Sequence, residues 1–416
     1  MSKIDFSNLK GAFKLLGVLR ACSALVWPAV ITVAAVLVFV VALLMGSSFK
    51  KKVEKESIPM AEQVKRLAET AIPVGQVEVE KRYQQQYQED ANRIEQMAIQ
   101  STQRELISYG IFPEPNGTSA MLFIGAKGSF GAGYREAIEG LVAKVRGGIC
   151  PSEAELKAST QKSRVGERGY WMDSDTEESR IIEQICEAKA KAASVYISPL
   201  DVSGYDFWDK YEYKNREQAV EDCWFWQIGY WIIEDVFSTI EAMNAGSSAV
   251  RSSTVKRLMG VGFVTPDRLF TGQGKITTAS QQRPGYVSKP EEQLTEACTA
   301  RISSDDIDVV HFSIIVVVSD EGVMPFIKQL CTEKTHSFVG YRGDEQEKVF
   351  RHNQITVLES RVRSVQKNSE PHQYYRYGHE QVFELELVCE YIFKKKGYET
   401  INPLMAKNNE MESQEF

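Results

Sequence analysis

The sequence is poor in the marks of most protein chemistries. Its seven cysteines include no C-x-x-C pair, which excludes a zinc knuckle and a thioredoxin-like redox motif. Its five histidines, at 311, 336, 352, 372 and 379, never fall as H-x-x-x-H or H-E-x-x-H. No G-x-S-x-G nucleophile elbow occurs. Net charge is −7, with 49 Lys+Arg against 56 Asp+Glu, so the chain carries no global electrostatic signal for nucleic acid. These absences select no catalytic, cofactor-binding or metal-ligating residues, and the expectation is a protein that is not an enzyme and uses no cofactor.

Three local features bear on chemistry. Gly125, Gly128, Gly131 and Gly133 make a glycine-dense stretch after an apolar run and ahead of a helix, a setting in which backbone N–H groups can hold phosphate. The spacing matches neither Walker A nor G-x-G-x-x-G, so a plain loop is expected. Asp173, Asp175, Glu177 and Glu178 form an acidic cluster, expected as solvated surface rather than a cation site. Asn116 and Thr118 match a glycosylation acceptor, meaningful only in a secretory pathway that glycosylates.

What the sequence does have is one long apolar run. Residues 24–45 carry no charge over about 22 positions, enough to cross a hydrocarbon core as a helix. The run has no polar face, unlike a buried soluble helix. Pro28 sits near its start, where a missing N–H costs little, and Trp27 suits an interfacial anchor. A cleaved signal peptide would have a shorter apolar core and a small-residue cleavage site. Both flanks are basic, with Lys3, Lys10, Lys14 and Arg20 before and Lys50, Lys51, Lys52 and Lys55 after, so charge alone does not orient the span. A short tail before an early span behaves as a signal anchor. The expectation is an N-terminus in the cytoplasm and an exported bulk.

In order, residues 1–23 form a cytoplasmic tail, with Phe6, Leu9, Phe13 and Leu16 at helical spacing among lysines. That pattern fits a basic amphipathic helix on the inner leaflet or a contact peptide for a cytoplasmic partner. Residues 50–110 read as a helical, coiled-coil-like stalk. Its second helix runs over about 77–109, with Tyr83, Tyr87, Ile94 and Met97 on a heptad-compatible stripe. Residues 111–215 form a helical or irregular middle region, with helices at 132–145 and 177–193 and an exposed loop at 159–175. In those helices Ala137, Ile138, Leu141, Val142 and Val145, and Ile181, Ile185, Ala188 and Ala192, are expected inward. Residues 216–245 form a ring-rich helix that must be covered, with Trp224, Phe225, Trp226, Tyr230 and Trp231. Strands follow at 254–264, 308–319, 354–362 and 381–393, with a helix at 321–332 and a short extended piece at Phe338 and Val339. Residues 404–416 are expected as a disordered tail.

The fold class expected is therefore α+β: a transmembrane helix, a stalk, and a C-terminal domain at 216–403 of order helix, strand, strand, repeated. Two such halves make a four-stranded antiparallel sheet with both helices on one face, a ferredoxin-like αββαββ arrangement. This order resembles the C-terminal domain of PilO-type proteins of type IV pilus machines and GspM-type proteins of type II secretion. The local phrases that carry the resemblance include Val323, Met324, Pro325, Phe326 and Ile327; Val357 to Val362; and Tyr377 and Gly378 ahead of Val382 to Leu387. The resemblance is to a long, divergent member, since PilO-type chains are shorter and the middle region is extra. It implies a bitopic structural subunit of the bacterial inner membrane with a periplasmic C-terminal domain. The implied partners are a homologous PilN/GspL-like subunit, a second copy of itself, and an actin-like cytoplasmic protein reached through residues 1–20. The alternative is a membrane-anchored extracytoplasmic sensor with a ligand pocket at the rings of 224–231.

Overall fold

The computed structural model describes residues 23–70, 74–115, 122–123, 128–166, 174–263, 282–294 and 301–405. The tail 1–20, the Asn116 acceptor, Gly125, Asp173 and residues 406–416 lie outside them. The chain divides into two compact units, Met1–Glu89 and Asp90–Phe416.

In the first unit, α1 (Ser23–Lys52) carries the apolar run and has no charged side chain before Lys50. Its side chains are bare: Leu37 is 60% exposed and Phe39 64%. A soluble core helix would bury that surface, at about 25 cal/mol per Å² of apolar area. Among the described residues this is the one helix long and apolar enough to cross a membrane, and the chain is consistent with a single-pass membrane protein. A short π-helical stretch (Val53–Ser57) leads into α2 (Ile58–Thr70), and α3 (Val74–Ser101) follows. Tyr83, Tyr87, Ile94 and Met97 are all more than half exposed on α3.

The helix expected to reach 109 stops at Ser101. The cause is tertiary: the Thr102 hydroxyl, which also lies 2.9 Å from Ile99 O, reaches Lys394 O (3.0 Å) far along the chain. A Cβ at Gly397 would overlap that hydroxyl, so the missing side chain lets the two backbones meet. From Thr102 onward the chain turns into the core of the second unit.

That unit is built on a six-stranded mixed sheet. Two short strands, β1 (Gly147–Gly148) and β2 (Val195–Tyr196), run parallel to β3 (Val255–Gly262) at one edge. β3 pairs antiparallel with β4 (Ile307–Ser319). A separate hairpin, β5 (Lys334–Phe338) and β6 (Lys348–His352), forms its own sheet. The main sheet is completed by β7 (Ile355–Ser364) and β8 (Val382–Lys394), in the order β1-β2-β3-β4-β8-β7. β4 and β8 pair without interruption from Ile307↔Lys394 to Ser319↔Val382. Both are nearly continuous buried runs, as expected of central strands covered on both faces.

One face carries Phe312, Ile314, Val316, Leu385, Leu387 and Tyr391 into the main core. Two helices cover it: α8, the ring-rich helix Arg216–Met243, and α9 (Val323–Leu330). (The intervening helices, here α4 Ser129–Lys144, α5 Glu153–Gly166, α6 Ser174–Ala192 and α7 Tyr205–Asp209, precede α8 in the chain.) Trp224, Trp226 and Trp231 are fully buried, with Trp224 edge-on to Tyr398 and Trp231 close to Phe393. The opposite face holds a second core of Ile315, Val317, Met259, Tyr196 and Tyr377, with Ala190 of α6. There the Arg257 guanidinium lies 3.8 Å from the Tyr375 ring centroid.

Several expectations are corrected in this unit. The sheet has six strands, because two-residue strands fed by α4 and α6 extend the β3 edge. The middle region shares the main core, with Ile111, Phe130, Tyr134 and Trp208 beside the tryptophans of α8. Residues 159–166 are the end of α5, not loop. On α6 the buried residues are Cys186 and Ala190, while Ala188 and Ala192 are exposed. The extended piece at Phe338 is one arm of a hairpin.

Candidate functional site

A buried polar cluster occupies the junction between the segment after α3, helix α8, the β5–β6 hairpin and strand β8. Arg104 enters it three residues beyond the end of α3. Its guanidinium grips Asp235 of α8 with two bonds, Nη2 to Oδ1 at 2.9 Å and Nη1 to Oδ2 at 3.1 Å. The same group donates to Glu234 (2.5 Å) and to the Tyr391 hydroxyl (2.9 Å). Arg104, Asp235 and His352 side chains are all at most 3% exposed. A charge this deep persists only when paired and fully hydrogen-bonded.

Burial opposes ionisation of Asp235, but Arg104 and His352 outweigh it and hold the carboxyl well below the usual range. Asp235 Oδ2 therefore accepts only: from Arg104, from His352 Nε2 at 2.8 Å, and from the Tyr391 hydroxyl at 2.7 Å. The Tyr391 hydroxyl is equally close to Gln354 Oε1 and has one proton to give to either. His352 Nδ1 meets His336 Nδ1 at 3.0 Å, and His336 Nε2 meets Gln103 O at 2.8 Å.

The ends of this chain fix its protons. A backbone carbonyl accepts, so His336 Nε2 carries a hydrogen. An ionised carboxylate accepts, so His352 Nε2 carries one as well. Burial, with the Arg104 charge, pushes the His336 pKa down to about 4. His336 is therefore neutral at pH 7. The cluster thus joins the Arg104 guanidinium to the carboxylates of Asp235 and Glu234, and through the two histidines binds β6 to α8 and β5 to the segment after α3.

A cavity of about 440 Å³ opens over the cluster. Arg104, Glu105, Glu136, Tyr230, Glu234 and His336 contribute to its wall. Its polar groups belong to four separate parts of the chain. Of the rings at 224–231, Tyr230 reaches this cavity, while Trp224, Trp226 and Trp231 are spent in the core.

The glycine-dense stretch is structural where it is described. Gly128 caps the start of α4. At Gly131 an added Cβ would press on the Trp208 ring (3.0 Å), and at Gly133 on Ile107 (3.1 Å). Gly204 is tighter: its φ is +92°, and a Cβ would come to 2.6 Å of the Tyr134 hydroxyl. Of the acidic cluster, Asp175, Glu177 and Glu178 lie on the first turns of α6. Among the described residues no group of three or more His, Cys, Asp or Glu is arranged to hold a metal ion. His336 and His352 are brought together, while His311 lies on β4 with Nε2 3.8 Å from Glu390. Arg104 and Asp235 are silent in the sequence, because one charged residue in a turn and one on an apolar helix carry no signal until they meet.

The second candidate surface is the β7 edge. β2 and β1 cover the outer side of β3, whereas no strand among the described residues covers β7. Every residue from 359 to 364 is exposed. Across the sheet Arg361 faces Glu386 and Arg363 faces Glu384, with ion-pair distances of 3.6 and 3.9 Å.

No protein-family model, no curated protein and no solved structure matches this chain.

Proposed function

We propose that the chain is a bitopic structural subunit of a type IV pilus or type II secretion-like assembly platform in the bacterial inner membrane, working through protein–protein contacts. The observation that carries this reading is the strand order. Omitting β1 and β2, the sheet runs β3-β4-β8-β7, with α8 before β3–β4 and α9 before β7–β8. Two helix-strand-strand halves joined in that order are a circularly permuted ferredoxin-like sheet, here extended at one edge and carrying an inserted hairpin. Behind one apolar anchor, that is the layout of PilO-type and GspM-type subunits. In this reading the N-terminus is cytoplasmic, and residues 1–20 meet an actin-like partner. The sheet domain is periplasmic and pairs with a PilN/GspL-like subunit. The bare stripe at Tyr83 and Tyr87 supports a coiled-coil-like stalk that pairs with another chain.

The test is a photo-crosslinking amino acid at position 87, in cells that make the appendage or secretion system. The proposal expects capture of a second single-pass membrane subunit. Capture of nothing but lipid contradicts it.

A second reading has its own observation. The cavity over Arg104, with Tyr230, Glu105 and Glu136 at its wall, is a place for a small cationic ligand in a membrane-anchored extracytoplasmic sensor. Saturable binding of an organic amine to the purified chain, abolished by Glu136→Gln, favours the sensor.

A further inference from the structure

We propose that Cys150 and Cys186 join as a disulfide that staples the β1 edge of the sheet to helix α6. The staple rests on the placement of this domain outside the cytoplasm, where such bonds form and persist.

The backbone brings the two residues to one place. Gly148 of β1 packs so close to the end of α6 that a Cβ there would come to 2.6 Å of Ala193 Cβ. Side chains alternate along an extended chain, so Cys150 shares the side of Gly148 that faces α6. Ile149, between them, points the other way and is 58% exposed. On α6 the residues Cys186 and Ala190, with Ala193 just past its end, recur at helical spacing and are all buried. β1 and β2 are parallel, and α6 leads into β2, so α6 runs back against the direction of β1. Moving forward from Gly148 and backward from Ala193 is therefore motion the same way. Two residues of strand advance about 6.6 Å. From Ala193, Ala190 lies about 4.5 Å back along the helix and Cys186 about 10.5 Å. Cys150 thus arrives level with the turn that runs from Cys186 to Ala190.

The charges around the thiols agree with that placement. Cys186 itself, Arg376 and Lys189, one helical turn from Cys186, all bear on the Cys150 thiol. Arg376 bears on the Cys186 thiol too. Arg376 is held beside both: its guanidinium grips Glu183 of α6 at 2.7 to 3.1 Å, and its backbone N–H donates to the Tyr196 hydroxyl of β2 at 3.3 Å. The sheet also has a use for a staple, since β1 is held to β2 by only two residue pairs. Burial pushes the Cys150 thiol up to about 12 and raises the Cys186 thiol as well, so in the finished fold both stay protonated and react slowly. The bond therefore forms while the exported chain is folding, when the thiols are in water and titrate near ~8.5. The thiolate of one cysteine attacks the disulfide of a dithiol oxidant, and the second cysteine displaces the oxidant from the mixed disulfide. Two thiols here lose two protons and two electrons and become one S–S bond. The oxidant's S–S bond takes them up and becomes two thiols.

The experiment is peptide mapping of the full-length chain. Cells are quenched with acid, free thiols are alkylated under denaturing conditions, and the digest is read by mass spectrometry with and without reduction. The expected result is a peptide pair joined through Cys150 and Cys186 that is lost on reduction. Cys150→Ser and Cys186→Ser should each release the other cysteine for alkylation, while Cys331→Ser should leave the pair intact. A second arm separates the pairing from the compartment. The full-length chain is synthesised cell-free into detergent, with oxidised or with reduced glutathione present during folding. The pair is expected with the oxidised form and absent with the reduced form. Alkylation of both cysteines in cells and in the oxidised cell-free sample overturns the proposal, and so does Cys150 or Cys186 joined to any other cysteine. A pair formed cell-free but missing from cells leaves the geometry standing and overturns the placement of the domain outside the cytoplasm.

Discussion

Asp235→Asn removes one charge from the buried cluster and almost nothing from its shape. In the folded protein it leaves the Arg104 guanidinium and the His352 ring facing an amide, with Glu234 at the rim as the remaining carboxylate. Arg104 is fully buried and cannot shed its proton, so the folded state keeps an uncompensated cation. Breaking a buried pair by removing one partner costs about 3–5 kcal/mol. For a unit of about 330 residues, unfolding entropy of ~2.1 cal/mol/K per residue converts 4 kcal/mol into a Tm drop of about 6 °C. The assay is thermal unfolding of the detergent-solubilised chain, followed by the fluorescence of the buried tryptophans. A double-mutant cycle sharpens it: Arg104→Met on the Asp235→Asn background should cost much less than Arg104→Met alone, with a coupling of at least about 2 kcal/mol. A single-variant loss under about 1 kcal/mol, or strictly additive losses, would refute the assignment of the cluster as a coupled ionic unit.

Other consequences are open to the same measurements. His336 and His372 are both held near pKa 4 by burial, against about 6.5 in the unfolded chain. Each binds its proton less readily when folded, so their contribution is present above pH 6.5 and is lost as pH falls towards 4. The loss should be roughly 2 kcal/mol at His336 after discounting its partial exposure, and His336→Gln should flatten that part of the stability–pH curve. Gly397→Ala drives a methyl group into Thr102 and should cost about 1–3 kcal/mol, while Gly397→Ala with Thr102→Gly should recover much of it. Removing residues 1–52 should move the chain from the membrane pellet to the soluble fraction on lysis, and retention in the pellet would contradict the anchor.

The parts of the fold written in local pattern were readable in the sequence. The charge-free run of α1 and the ring-rich α8 declare themselves by composition. The alternation in β8, with Leu385, Leu387 and Cys389 against Glu384, Glu386 and Glu390, declares a strand between two different faces. β1 and β2 are two residues long, too short for any period, and exist because α4 and α6 deliver them beside β3. β5 and β6 lie in polar sequence, and their burial patterns carry no apolar stripe. α3 ends at Ser101 because Thr102 and Arg104 have partners elsewhere, a tertiary cause that overrides a helical run. The cluster itself was illegible: Arg104 and Asp235 are separated by 131 residues, and Asp235 and His352 by 117. Nothing short of the assembled fold joins them.

The mass of the particle extracted from native membranes in mild detergent tests the central claim most directly. A tethered subunit that works through its surfaces should emerge as a complex heavier than one 46.9 kDa chain, containing a second single-pass subunit. A homogeneous 46.9 kDa monomer, with stalk stripe and β7 edge both bare, would contradict it.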